Sequence, residues 1–128
     1  MTLPATTRFT KDHEWATPEG QTTRIGITQY AADELGDIVF VELPQPGDQI
    51  EKGEPFGSIE SVKAVSDLVA PVSGTVVRVN AKLVDAPETV NESPEDDGWM
   101  IEIEPDDAGE IEDLMDAEAY EAYLDQIA

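Results

Sequence analysis

The chain lacks cysteine altogether and has a single histidine, His13, among its 128 residues. Disulfides, thiolate metal sites and a cysteine nucleophile are therefore excluded, so any sulfur redox chemistry has to arrive on an attached group. A Ser-His-Asp triad would have to use His13, yet no Gly-x-Ser-x-Gly elbow occurs, and His13 reads as a structural residue. Basic residues are scarce as well: 7 stand against 29 acidic ones, a formal net charge of −22. Phosphate backbones and anionic membranes repel such a chain, which argues against nucleic acid or a lipid surface as partner. No apolar run approaches the length of a membrane span, and Met1 to Thr10 has neither the apolar stretch nor the basic prelude of a targeting segment. Walker and Rossmann glycine motifs are missing, and the pairs Asp96-Asp97 and Asp106-Asp107 lack calcium-loop spacing. These absences leave no self-contained active site, and the expectation is a non-enzymatic, cytoplasmic protein built as one compact domain over residues 1–128, with a monomer as the expected state.

The acids are scattered along the chain, denser near the C-terminus, and so do not form a separate tail. Spread over a folded surface, that much like charge destabilises the compact state unless salt screens it, and at molar salt the screening length is about 3 Å. A high-salt cytoplasm is the expected habitat.

Short β-prone segments separated by glycine and proline dominate the rest. Glu14-Trp15-Ala16-Thr17, a turn at Pro18-Glu19-Gly20 and Thr22 to Ile27 make an N-terminal hairpin. Thr28 caps a two-turn helix from Gln29 to Leu35, which Gly36 closes. Asp37 to Leu43 is the strongest strand, stopped by Pro44 and Pro46. Further strands are expected at Gln49 to Glu51, Phe56 to Glu60, Val65 to Ala70, Thr75 to Val79 and Trp99 to Glu104. Turn signals this dense indicate a barrel or sandwich of short strands. Asn80 to Gly98, polar and proline-containing, reads as a wandering surface loop. From Asp107 the pattern turns helical: Ile111, Leu114 and Met115 on one face of a first short helix, then Asp116 capping a second that carries Tyr120, Tyr123, Leu124 and Ile127.

Between Ile59 and Val65 lies Ser61-Val62-Lys63-Ala64, a hairpin tip displaying one of only four lysines. Residues from end to end carry a resemblance: His13-Glu14-Trp15, Ile25-Gly26-Ile27-Thr28, Leu35 through Pro44, Glu60-Ser61-Val62-Lys63-Ala64, Pro71-Val72-Ser73-Gly74, Val79-Asn80, Asn91, Pro94 and Gly98-Trp99. In these the chain resembles the H-protein family of the glycine cleavage system, which are lipoyl carriers. The resemblance implies a mainly β barrel-sandwich hybrid fold of the lipoyl/biotinyl type, with an N-terminal hairpin, one short helix and C-terminal helices. It also implies lipoic acid linked to Lys63 as N6-lipoyllysine, whose dithiolane supplies the sulfur chemistry this cysteine-free chain lacks.

By the same resemblance the arm shuttles the aminomethyl group of glycine from glycine decarboxylase (P protein) to the aminomethyltransferase (T protein). Dihydrolipoyl dehydrogenase (L protein) then reoxidises it, and a lipoate ligase or lipoyl transferase installs it. Glu14 and Asp67 match positions that the family places around a cleft for the loaded arm, where a carboxylate would face its cation and water would be kept away. Asp12 departs from the family, which often has a small hydroxyl residue there. A biotinyl carrier normally sets its lysine between methionines, whereas Val62 and Ala64 flank Lys63. An H-like relay protein that hands lipoate to other complexes remains the alternative within the family.

Overall fold

The computed structural model describes residues 3–127, so the outermost positions of the expected 1–128 unit, Met1, Thr2 and Ala128, lie outside the described residues. The strands are β1 (Arg8–Phe9), β2 (Glu14–Glu19), β3 (Thr22–Ile27), β4 (Ile38–Glu42), β5 (Gln49–Ile50), β6 (Pro55–Ser61), β7 (Val65–Val69), β8 (Gly74–Val79) and β9 (Ile101–Pro105). The helices are α1 (Gln29–Leu35), α2 (Lys82–Asp85), α3 (Thr89–Glu92) and α4 (Ala117–Ile127), with a 3₁₀ turn at Glu110–Asp113. All pairings are antiparallel. One sheet runs β1-β2-β3-β9-β8-β5 and the other β4-β6-β7. Neither closes on itself, and the expected barrel-sandwich hybrid is realised as two open sheets face to face.

The faces that meet are apolar. Ile25, Val76, Ile101 and Ile103 of the larger sheet join Ile38, Val41, Ile59 and Leu68 of the smaller one in a single buried cluster. Strict alternation in β4 would put Ile38 and Val41 on opposite faces. A register shift between Ile38 and Phe40 resets the pleat, so both are buried while Phe40 is left half-exposed. A second cluster holds Phe9, Trp15 and Tyr120 under α4. Trp15 pairs with Gly26 across β2 and β3, and its indole covers that glycine: a Cβ there would stand 2.6 Å from Trp15 Cζ2. The indole nitrogen donates to the Ile27 carbonyl at 2.9 Å and the Pro94 carbonyl at 3.2 Å, so the buried ring leaves no polar atom unpaired.

Helix α1 is delimited as its sequence predicts. Thr28 Oγ1 accepts from the Ala31 amide at 3.2 Å, and Gly36, with φ 80°, ends the helix. The hairpin of β2 and β3 also forms, but β2 continues through Pro18 to Glu19, which pairs with Thr22 across Gly20.

Two expectations are corrected. Asn80 to Gly98 is not a wandering surface loop: it contains α2 and α3, and Leu83 and Val90 are fully buried in the main core. Single helical turns with one anchoring residue each carry no periodicity for a sequence pattern to detect. Nor do Ile111, Leu114 and Met115 share a helix face. The 3₁₀ turn ends at Asp113, Leu114 is extended, and Met115 exchanges backbone hydrogen bonds with Phe9 of β1 at 2.8 and 3.0 Å. Competition from the unpaired edge of β1 stops the helix there. Asp116 then starts α4 as expected, its carboxylate accepting from the Ala119 amide at 2.8 Å.

Candidate functional site

Lys63 stands at the tip where β6 turns into β7, and the turn is immobilised by local bonds. The Ser61 amide donates to the Ala64 carbonyl at 2.8 Å, while Ser61 Oγ accepts from the amides of Lys63 at 3.3 Å and Ala64 at 3.1 Å. The Val62 amide donates to the Asp37 carbonyl at 3.0 Å, anchoring the tip to the chain entering β4. Every amide of the tip is thus bonded, so an exposed lysine is carried on a fixed base.

The lysine side chain passes over a glycine. A Cβ at Gly36 would lie 3.5 Å from Lys63 Cε, and the Gly36 conformation, φ 80° and ψ −156°, is one that side-chain-bearing residues avoid. Asn91 of α3 holds this junction by donating to the Gly36 carbonyl at 2.7 Å and accepting from the Ile38 amide at 2.8 Å. Sequence reasoning matched Asn91 to the family without giving it a role, because its partners lie more than 50 residues away.

Leu35, one residue before Gly36, lines a cavity of about 170 Å³. Glu14 at the start of β2, Glu34 of α1, Asp67 of β7 and Asp12 contribute its four acids, and Ile27 is part of its apolar lining. Glu14 and Asp67, paired in sequence by resemblance alone, are therefore brought to one cavity. Their environments differ. Asp67 is solvent-exposed, whereas Glu14 is only 2% exposed. Glu14 Oε2 accepts from the Val69 amide at 2.7 Å, and Oε1 is the one buried side-chain polar atom without a hydrogen-bond partner among the described residues. Burial pushes its carboxyl up to about 8; the Asp12 charge adds to this and the Val69 amide opposes it. A buried carboxyl with one satisfied and one orphaned oxygen is costly unless a cation or donor completes it.

Beside Glu14, His13 adopts the left-handed conformation, φ 68°, and its Nδ1 lies 2.8 Å from the Tyr120 hydroxyl. Burial lowers its pKa, with Asp12 and Glu34 acting in the opposite direction. The His13 ring is hydrogen-bonded and packed, and it also lines the cavity. Asp12, noted in the sequence only as a departure from the family, also lines the cavity, whereas Glu34 carried no sequence signal because only the packing of α1 brings it there.

Residues 7–127 match the family model described as glycine cleavage H-protein. The chain belongs to that family. It is 58% identical to the glycine cleavage system H protein of Geobacillus kaustophilus over 126 residues, 98% of this chain and 99% of the relative. Against the Bacillus subtilis protein of the same name the identity is 60% over 121 residues, 94% and 95% of the two chains. The fold is shared with the crystal structure of a glycine cleavage system H protein from Mycobacterium marinum, with a TM-score of 0.86 and 40% identity over 96% of this chain and 99% of that one. Membership makes the chain a lipoyl carrier of glycine cleavage, and the hairpin and cavity are to be understood in that light. Among the described residues no helix is long and apolar enough to cross a membrane.

Proposed function

We propose that Lys63 carries lipoic acid in amide linkage, and that the cavity beside it receives the amine-bearing end of that arm between visits to the enzymes of glycine cleavage. The observation that carries this reading is the buried, unpartnered Oε1 of Glu14 in a cavity that Leu35 and Asp67 also line, next to an exposed lysine on a fixed tip. The residues present fit the group: the lysine is accessible, and the cavity lining combines apolar and anionic residues. When bound, lipoate supplies a dithiolane whose sulfurs accept and return a one-carbon unit and undergo oxidation and reduction.

The chain's own contribution is to hold the cargo as a cation and to shield it. With the cavity empty, the Glu14 carboxyl keeps its proton near neutral pH because burial raises it to about 8. A cation brought against Oε1 favours the ionised form, so Glu14 gives up that proton and becomes the counter-charge. Asp67 adds negative charge from the solvent side, and Ile27 and Leu35 help exclude water. An ammonium held this way keeps its lone pair engaged, which opposes loss of the cargo by hydrolysis. The partners in this reading are the glycine decarboxylase, the aminomethyltransferase, dihydrolipoyl dehydrogenase and the lipoate-attaching enzyme, with residues 1–128 acting as one carrier domain.

Intact mass of natively purified protein tests the attachment. A lipoyl increment mapped to Lys63 is expected, and a biotinyl increment or none would overturn it. Reconstituted glycine decarboxylation with the three partner enzymes separates a cleavage carrier from a protein that only relays lipoate. Faster loss of cargo in Glu14→Gln or Asp67→Asn is expected if the cavity shelters it.

A further inference from the structure

All three tyrosines of the chain gather around its single histidine. Ring centroids of Tyr30, Tyr120 and Tyr123 lie 4.6, 5.8 and 6.1 Å from that of His13. Tyr30 comes from α1, the other two from α4, and the function described so far uses none of them. Tyr120 differs from its neighbours because its ring is buried and its hydroxyl is bonded at both ends: 2.8 Å from His13 Nδ1 and 2.9 Å from Thr28 Oγ1.

Both partners adjoin segments that line the cavity. His13 directly precedes Glu14 and lines the cavity itself. Thr28 caps α1, which contributes Ala31, Glu34 and Leu35 to the lining. The backbone joins the same two residues, the Thr28 amide donating to the His13 carbonyl at 2.9 Å. His13 is also held in a left-handed conformation that a side-chain-bearing residue adopts at a cost, and such a conformation persists only where the surroundings over-determine it. The backbone already holds His13 through its amide, which donates to the Thr10 carbonyl at 3.0 Å, and the Tyr120 hydroxyl adds a side-chain restraint on its ring.

We propose that Tyr120 is a positioning residue for cargo retention: from the C-terminal helix, its hydroxyl fixes His13 against Thr28 and so holds the Glu14 carboxyl at the cavity. The proposal rests on the carrier reading of that cavity. Ring packing and hydrogen bonding separate cleanly here. The Tyr120 ring stacks on Phe9 at 4.8 Å and 5°, and phenylalanine would preserve this stacking while removing only the oxygen. Burial pushes the Tyr120 hydroxyl up to about 12, so it stays protonated as both donor and acceptor over the working range. The Ala31 amide donates to Thr28 Oγ1, which leaves the Thr28 hydroxyl free to donate to Tyr120 and Tyr120 to donate to His13 Nδ1. With that polarity, which the proposal takes, the proton of neutral His13 sits on Nε2; the reverse polarity would put it on Nδ1.

The test uses Tyr120→Phe in the full chain with two readouts. In the unlipoylated protein, imidazole ¹⁵N shifts at neutral pH are expected to report one His13 tautomer, protonated on Nε2, in the native chain and a mixture in the variant. In the lipoylated, loaded carrier, hydrolysis cleaves the carbon–sulfur bond and yields thiol, formaldehyde and ammonia. Its rate is expected to rise about fivefold, the equivalent of one ordinary hydrogen bond. The double variant with Glu14→Gln should lose cargo no faster than Glu14→Gln alone. His13→Asn, whose side chain tolerates the left-handed region, removes the same restraint without touching α4 and should shorten the lifetime similarly. A native lifetime in Tyr120→Phe beside a shortened one in Glu14→Gln overturns the role of Tyr120 alone. A native lifetime in Glu14→Gln overturns the cavity reading and the Tyr120 role with it.

Discussion

Glu14 concentrates the chemistry of this chain in one side chain. Its carboxyl sits at about 8 in the folded protein against 4.5 as its ordinary value, so folding binds a proton in between. The stabilising contribution is present in full below about 4.5 and is lost as the pH rises through about 8, with a limiting slope of about 1.4 kcal/mol per pH unit. Glu14→Gln removes the titration. Urea unfolding of both proteins at pH 5 and pH 8 should show the variant gaining on the native chain at the higher pH by an amount on the order of a few kcal/mol. Equal differences at the two pH values would mean that Glu14 is not buried as a neutral acid. Lys63→Arg makes the opposite kind of prediction. The side chain is exposed, so stability should stay within about 0.5 kcal/mol, while the intact mass shows no lipoyl increment under conditions that modify the native chain.

Among the elements, the junction of α1 with β4 governs how the lysine tip is presented. Gly36 combines a glycine-only conformation with Lys63 Cε passing 3.5 Å from where its Cβ would stand. Gly36→Ala should therefore cost about 1–3 kcal/mol by thermal melting, from the backbone conformation. Undiminished stability would show that the backbone there relaxes freely. The hairpin itself was legible in the sequence because its signals are local: β-prone residues on both sides of Ser61-Val62-Lys63-Ala64, with Ser61 able to bond the turn's own amides. The helical character of 80–98 was not legible. Leu83 and Val90 become anchors only when the β sandwich offers a surface to bury them, and two single turns show no repeat.

For the whole molecule, charge is the dominant consideration. The net charge of −22 is offset by few ion pairs: among the described residues Glu102 is bonded by Arg24 at 2.6 Å and Arg78 at 3.0 Å, and Glu19 lies 3.7 Å from Arg24. Both guanidinium groups also lie over Trp99, at 4.7 and 5.1 Å from its ring, so this cluster is braced by packing as well as charge. Most other carboxylates repel one another through solvent. The melting temperature should therefore rise between dilute buffer and molar KCl, as screening shortens to about 3 Å. A flat or falling melting temperature would show that the acidic surface is not an adaptation to high salt. Sodium chloride at equal ionic strength should act similarly if screening is the cause.

The sequence by itself determined a fold of short β-strands, the capped helix α1, and Lys63 on a tight tip. These depend on turn chemistry, alternation and capping, which act over a few residues and survive in any context. The resemblance pointed to Glu14 and Asp67, but only tertiary structure decided their environments. Glu14 is buried because β2 packs so that the amide of Val69, 55 positions along the chain, meets its Oε2, and its other oxygen is orphaned by the same packing. Tyr120 reaches His13 across 107 positions only because α4 lies against β1. Burial, and with it the proton affinity of a carboxyl, belongs to the environment that distant segments build together, and a linear pattern does not contain it.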